Sequence, residues 1–318
     1  MNNIPDISFV VPMYNEEDVI ATFFSTMDKT LKKIPQYTYE FICVNDGSKD
    51  KTLPILKEYA TKDRRIKIIS FSRNFYKEQA LFAGLEASSG RCVIPMDADL
   101  QDPPALILKF IKKWQEGYEV VYGVRTERTK DTLIKRITAN LFYKIFNFIA
   151  DRPIPANTGD YRLMDRKVVD AILQIKENKL FMKGIFSWVG FKSCGVEYQR
   201  PKRAAGKTKF NYWKLWNFAL DGITASTTLP LRIWTYIGSF IAAISGLYAL
   251  YIIGRTLFMG VSVPGYASLL VCILFFGSVQ LIVLGIFGEY IGRIFMEVKR
   301  RPRYIIDEKI NLIEHDKI

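Results

Sequence analysis

Two uninterrupted apolar runs in the C-terminal third restrict this chain more than any other feature. Residues 233–253 and 266–288 carry no charge over 21 and 23 positions. About 20 apolar residues are enough for a helix to cross a bilayer, and only backbone that satisfies its own hydrogen bonds can do so. Both runs therefore read as transmembrane helices. The connection between them, residues 254–265, holds Arg255 as its only charge, whereas both outer flanks are basic. Six Lys and Arg residues fall between Arg200 and Lys214, and Arg293, Lys299, Arg300, Arg301 and Arg303 follow the second run. By the positive-inside rule, the N-terminal part and the C-terminus are cytoplasmic and a membrane hairpin joins them.

The flanking clusters also explain a net charge of +13. Placed beside membrane segments, they fit an anionic bilayer surface, and no nucleic-acid partner is expected. Cys43, Cys92, Cys194 and Cys272 show no paired spacing, which favours a reducing compartment. Residues 1–6 lack a basic stretch leading into an apolar core, so no signal peptide is expected. The only histidine, His315, lies in a polar tail, which removes Ser-His-Asp chemistry and His-ligated metal sites from contention.

Ahead of the apolar runs, strand-like and helix-like segments alternate. Strands are expected over 7–11, 39–44, 66–71, 93–96 and 119–122, with helices over 16–33, 50–61, 78–87 and 103–116 between them. Such alternation builds a doubly wound, mostly parallel sheet, and in such sheets ligands sit outside the carboxyl ends of the strands. No GxGxxG follows the first strand and no Walker A sequence occurs, so a dinucleotide oxidoreductase and a P-loop NTPase are disfavoured. Further on, 131–150 has helical apolar spacing that suits a core or an interfacial helix equally. A strand-like piece opens at Gly159, a helix is expected over 166–175 and a strand over 192–198. Phe210, Tyr212, Trp213, Trp216 and Phe218 mix with Lys209 and Lys214, as in an amphipathic helix at a headgroup boundary.

The chemistry concentrates at the fourth strand. It ends in Asp97-Ala98-Asp99-Leu100-Gln101-Asp102-Pro103, and in extended backbone Asp97, Asp99 and Gln101 share a face. Such oxygen ligands suit Mg²⁺ or Mn²⁺, which one or two carboxylates hold while substrate phosphates complete the shell. Asp102 before Pro103-Pro104 reads as a helix N-cap.

In order along the chain, Val11-Pro12-Met13-Tyr14-Asn15-Glu16, Asn45-Asp46-Gly47-Ser48 and Asp97-Ala98-Asp99-Leu100-Gln101-Asp102-Pro103 resemble the GT-A family 2 glycosyltransferases. Arg73-Asn74-Phe75, Lys77-Glu78, Gly159-Asp160-Tyr161-Arg162 and Gly206-Lys207-Thr208, followed by two spans, look like the polyprenyl-phosphate branch of that family. This branch includes dolichyl-phosphate mannose synthases and bactoprenol glucosyltransferases of O-antigen modification, the latter matching the two-span layout best. The resemblance implies a GT-A domain over 1–207, an amphipathic juxtamembrane segment over 208–230, two transmembrane helices over 231–296 and a basic cytoplasmic tail over 297–318. It implies that Pro12, Tyr14, Glu16 and Asp46 hold the nucleoside, with Lys77 and Asp97 also on the nucleotide sugar. Asp97, Asp99 and Gln101 would hold the metal, Arg125 and Arg128 would meet phosphates, Asp160 and Arg162 would lie at the reaction centre, and Arg203 and Lys207 would close over the ligands. Two departures stand out. Asn45 replaces a second Asp found in many relatives, and Tyr76 replaces a Gly; the first bears on base recognition and the second on the shape of the donor pocket.

The function so implied is inverting transfer of a hexose, glucose by preference, from UDP-glucose to undecaprenyl phosphate at a bacterial inner membrane, by a homo-oligomeric, metal-dependent enzyme. GDP-mannose is the alternative donor. A processive polysaccharide synthase is disfavoured because Q-x-x-R-W is missing. A non-enzymatic nucleotide-sugar sensor or flippase scaffold fits poorly with an intact acidic site.

Overall fold

A computed structural model describes residues 4–126, 158–177, 180–199 and 265–312, with scattered positions between 240 and 258. The chain divides into two compact units, one of Met1–Ala219 with Pro302–Ile318 and one of Leu220–Arg301.

The first unit is built on an eight-stranded sheet: β1 (Ile7–Met13), β2 (Tyr39–Asn45), β3 (Ile66–Phe71), β4 (Cys92–Pro95), β5 (Val120–Arg125), β6 (Thr158–Asp165), β7 (Ser193–Tyr198) and β8 (Ile306–Ile310). Their spatial order is β7-β5-β6-β4-β1-β2-β3-β8. The strands β4, β1, β2 and β3 pair in parallel, as does β5 with β7; β6 and β8 run antiparallel to their neighbours. The central strands are continuous apolar runs because both faces are covered. Alternate residues of β1 serve opposite layers: Phe9 and Val11 join Phe23, Phe41 and Phe110 on one side, while Val10 joins Ile42, Leu81 and Val168 on the other.

The helices of this unit are α1 (Ile20–Leu31), α2 (Thr52–Lys62), α3 (Lys77–Ala87), α4 (Leu106–Gln115), α5 (Arg166–Leu173) and α6 (Met182–Trp188). Helix α1 buries Ile20, Phe23, Phe24, Met27 and Leu31, the stripe expected of an amphipathic helix. Helix α3 lies hard against the sheet, because a Cβ on Gly84 would meet Val10 Cγ1 at 2.2 Å. This contact fixes the depth at which the first turn of α3 reaches the strand ends.

Three expectations change. Helix α1 starts at Ile20 rather than 16, because the backbone of Glu16 and Glu17 is spent on Thr52 Oγ1 and Asp50 Oδ2 of the neighbouring loop. Helix α4 starts at Leu106, with Ala105 as its N-cap; Asp102 lies ahead of that cap and is buried. The C-terminal segment is not a free tail. Strand β8 pairs with the outer edge of β3, Tyr304 stacks on Phe71 with ring centroids 4.8 Å apart, and Asn311 Nδ2 donates to the carbonyls of Ala60 and Ile66. Helix α6 also occupies a stretch the sequence left without structure.

The second unit contains α7 (Tyr266–Val298), 33 residues long. Its portion Phe275–Val298 is, among the described residues, the one helix long and apolar enough to cross a membrane. The hairpin expected from the sequence is thus represented by one helix. The first apolar run lies mostly outside the described residues, as do the segments 131–150 and 208–230.

Candidate active site

The loops leaving β1, β2, β3 and β4 meet at the carboxyl edge of the sheet. Three non-glycine residues there have positive φ: Asn15 at 54°, Tyr76 at 72° and Leu100 at 55°. Such backbone is costly and persists where surrounding contacts impose it. Asn15 is held by Ser48 Oγ, which accepts from its N–H, and by Lys49 N–H, which donates to its Oδ1. Tyr14 stands half-exposed beside it and Pro12 is partly buried in β1. Asn45 donates to Ser70 Oγ at 2.9 Å and accepts from Ser48 N–H, so at this departure the amide ties β2 to β3.

Asp46 is buried, and its Oδ1 accepts from Phe75 N–H at 2.6 Å. Burial pushes its carboxyl up to about 6, against the opposing pull of the backbone N–H groups of Phe75 and Tyr76 and of the Arg73 charge. Gly47, at φ 64°, could not carry a side chain, because a Cβ would lie 2.3 Å from the Arg73 carbonyl carbon. The loops after β2 and β3 are therefore one packed layer.

Lys77, the first residue of α3, links two other strand ends. Its Nζ lies 2.5 Å from Asp97 Oδ1 and 2.9 Å from Asp160 Oδ2. Asp160 is pushed up by burial, but Lys77 and Lys183 outweigh this and hold it at about 2. Its second oxygen, Oδ1, is buried with no hydrogen-bond partner among the described residues. Glu78 accepts from Met182 N–H at 3.2 Å. Burial first, and the charge on Asp160 second, push Glu78 up to about 7.

Alternation along an extended strand does not carry Asp99 and Gln101 to their places. Strand β4 ends at Pro95, Ala98 and Asp99 form a turn, and Asp99 Oδ1 accepts from Gln101 N–H at 3.1 Å. Gln101 is buried. Among the described residues no three His, Cys, Asp or Glu side chains gather as a ready metal cage. A cation completed by phosphates needs only one or two carboxylates, and Asp97 already takes an ammonium as its cationic partner, so the donor set fits a hard divalent ion.

Arg162 is buried and points away from solvent. Its guanidinium donates to the Gly159 carbonyl at 2.8 Å and lies 3.8 Å over the Phe186 ring, and burial lowers it to about 10. It thus braces the segment that carries Asp160. Arg125 is pinned by a network that the sequence did not reveal: its Nε donates to Tyr198 Oη at 3.1 Å, and that hydroxyl donates to buried Asp102 at 2.5 Å. Arg128, Arg203 and Lys207 lie outside the described residues.

Lys77, Asp97 and Asp160 thus converge, Asp46 lies one loop away, and Glu78, Lys183, Asp102 and Tyr198 are additions. The profile described as Glycosyl transferase family 2 matches residues 8–173. The SfII prophage-derived bactoprenol glucosyl transferase of Shigella flexneri is 53% identical over 300 residues, 94% of this chain and 97% of that protein. The chain belongs to glycosyl transferase family 2. An uncharacterized glycosyltransferase of Synechocystis sp. is also 53% identical, over 95% of both chains, and a prophage bactoprenol glucosyl transferase homolog of Escherichia coli K12 is 50% identical over 94% of this chain and 98% of that one. Among solved structures, mannosyl-3-phosphoglycerate synthase from Rubrobacter xylanophilus aligns with 16% identity and a TM-score of 0.49 over 74% of this chain and 75% of that one.

In this family 2 glycosyltransferase the site is chemically divided. A carboxylate held below its ordinary range by two ammonium groups is a poor proton acceptor at neutral pH, so Asp160 is suited to orienting and charge balance. The Lys77 ammonium is suited to anionic oxygens, with Asp97 and Asp160 as its resting partners.

Proposed function

We propose that this enzyme transfers glucose from UDP-glucose to a polyprenyl phosphate, of the undecaprenyl type, with inversion at the anomeric carbon. The observation that carries the chemistry is the Lys77 ammonium 2.9 Å from Asp160 Oδ2, a contact that favours the ionised carboxylate, with the other carboxylate oxygen buried and unpaired among the described residues. A sugar hydroxyl acceptor would need a base, whereas a phosphate monoester has its second pKa near ~6 and attacks as the dianion it already is. The orphaned Asp160 Oδ1 would accept from a hydroxyl of the donor sugar. Lys77 would leave its carboxylates partly to meet the diphosphate, and Arg125, fixed by Tyr198 and Asp102, would screen the approach of one phosphate to the other. Asp97 and Asp99 would hold Mg²⁺ or Mn²⁺, which when bound neutralises the leaving diphosphate. Asp46 would accept from the base N–H. The identity of the sugar and the lipid rests on relatives named as bactoprenol glucosyl transferases.

The same reading places the enzyme on a membrane. Strand β8 shares a sheet with β1–β7, so segments before and after the apolar region lie on one side of any bilayer the chain crosses. An even number of crossings is what this reading expects. With α7 as one crossing, the charge-free run 233–253 is the natural second, and the positive flanks put the sheet in the cytoplasm.

Radiolabel from UDP-glucose appearing in a polyprenyl-phosphate lipid fraction tests the proposal. Transfer should stop in chelator and return with Mg²⁺ or Mn²⁺. Label transferred from GDP-mannose and not from UDP-glucose would favour the mannosyl alternative, and an α-linked product would exclude a single displacement.

A further inference from the structure

Tyr76 sits in backbone that a tyrosine has no intrinsic reason to occupy. Its φ and ψ are 72° and 158°, a region used almost only by glycine. Asn15 and Leu100 also have positive φ, but Tyr76 has a β-like ψ and a bulky side chain besides. The conformation is imposed from both sides. Its N–H donates to Asn74 Oδ1 at 3.2 Å and is drawn toward the Asp46 carboxylate. Its carbonyl accepts from Gln79 and Ala80 N–H at 3.1 and 3.2 Å, starting α3. The side chain gains little in return from the fold, since Tyr76 is 76% exposed. A large aromatic ring kept in water on strained backbone contributes nothing to the core.

Its neighbours indicate what it serves. The residue before it in space is Asp46, and the residue after it in sequence is Lys77, whose ammonium joins Asp97 to Asp160. Tyr76 therefore lies between the proposed nucleoside end of the donor and the reaction centre. A pyranose has C–H faces that pack on the electron-rich face of an aromatic ring.

We infer that Tyr76 is a specificity-determining residue whose ring packs on the hexose of the nucleotide-sugar donor. The inference rests on the proposed function for the donor's identity. Three proteins decide it: wild type, Tyr76→Phe and Tyr76→Gly. In Tyr76→Gly the melting temperature should hold or rise as the strained backbone relaxes, while the KM for UDP-glucose increases by roughly three- to tenfold. The KM for polyprenyl phosphate should stay at the wild-type value, and calorimetry should show UDP alone binding as before. Tyr76→Phe should match wild type throughout, because the ring and not the hydroxyl makes the contact.

An unchanged donor KM in Tyr76→Gly overturns the inference, as does a rise confined to the lipid acceptor or an equal loss of UDP binding. If wild type transfers nothing from UDP-glucose, the proposed donor is at fault. The same comparison is then made with whichever nucleotide sugar the wild type binds more tightly than its bare nucleotide, and equal binding of that sugar by wild type and Tyr76→Gly sinks the role of the ring.

Discussion

Lys77 Nζ lies 2.9 Å from Asp160 Oδ2 while also holding Asp97 at 2.5 Å. One ammonium thus joins the first turn of α3 to the end of β4 and to β6. Because Lys77 and Lys183 keep Asp160 at about 2, the wild-type rate should show no Asp160 titration at any workable pH. Lys77→Met removes the nearer cation, so the Asp160 affinity rises and its acid limb moves up into the measurable range; activity is then lost as pH falls through the new value. The plateau rate should also drop about 10²- to 10³-fold, as for loss of one preorganised charge contact. A pH–rate profile of the variant checks both, and an unshifted acid limb would refute the coupling.

Asp46 should titrate in the wild type itself. Its carboxyl is pushed up to about 6 by burial, and only the ionised form accepts a hydrogen bond at both oxygens. Nucleotide affinity should therefore fall as pH drops from about 7 to 5. For folding, the sign is reversed: a carboxyl raised above its ordinary value adds stability that is full below about 4 and fades as pH rises through about 6. Asp46→Asn should flatten the pH dependence of UDP binding in calorimetry and weaken binding several-fold at pH 8.

The pinning of Arg125 is testable without touching it. Tyr198 Oη bridges Arg125 Nε and the buried Asp102 carboxylate. Tyr198→Phe leaves that carboxylate short of a donor, which costs about 1–3 kcal/mol, so the melting temperature should fall. It also removes one of the two ties on Arg125, leaving the 3.8 Å contact of its Nη2 with Asp102, so the donor KM should rise. A variant with a lowered melting temperature and wild-type kinetics would reduce the network to a structural one.

The strands and their carboxyl-end acids were legible because buried parallel strands are continuous apolar runs and the site sits where they stop. Asp46 and Asp97 follow the ends of β2 and β4, whereas Asp160, near the start of antiparallel β6, was singled out only by the family resemblance. Asp102 was misread because Asp-Pro-Pro is a good capping sequence locally, while the deciding partners, Tyr198 and Arg125, are distant in the chain. Arg162 was expected among ligands, yet a positive charge in a strand carries no mark of which face it takes, and here it turns inward to Gly159 and Phe186. Strand β8 is short, charged and alternating, with burial only on one face, so nothing in its composition separates it from a tail. Its partner, the edge of β3, supplies the pairing.

That pairing leads to the last prediction. Eight strands from both sides of the apolar region form one sheet, and Arg303, Tyr304 and Asn311 add side-chain ties to Glu177, Phe71 and Ala60. A sheet cannot be hydrogen-bonded across a bilayer, so on the proposed reading strands β1–β7 and strand β8 share a compartment. We therefore propose a second crossing beside α7, with the charge-free run 233–253 as its candidate. Tags placed before Ile4 and after Ile318 should therefore both be protected in sealed right-side-out vesicles, while a tag at Ser262 is labelled from outside. Truncation after Arg301 removes β8 and exposes the β3 edge, so the unit built on the sheet should lose stability and transfer together. Accessibility of one terminus alone would mean an odd number of crossings and would break the sheet assignment of β8.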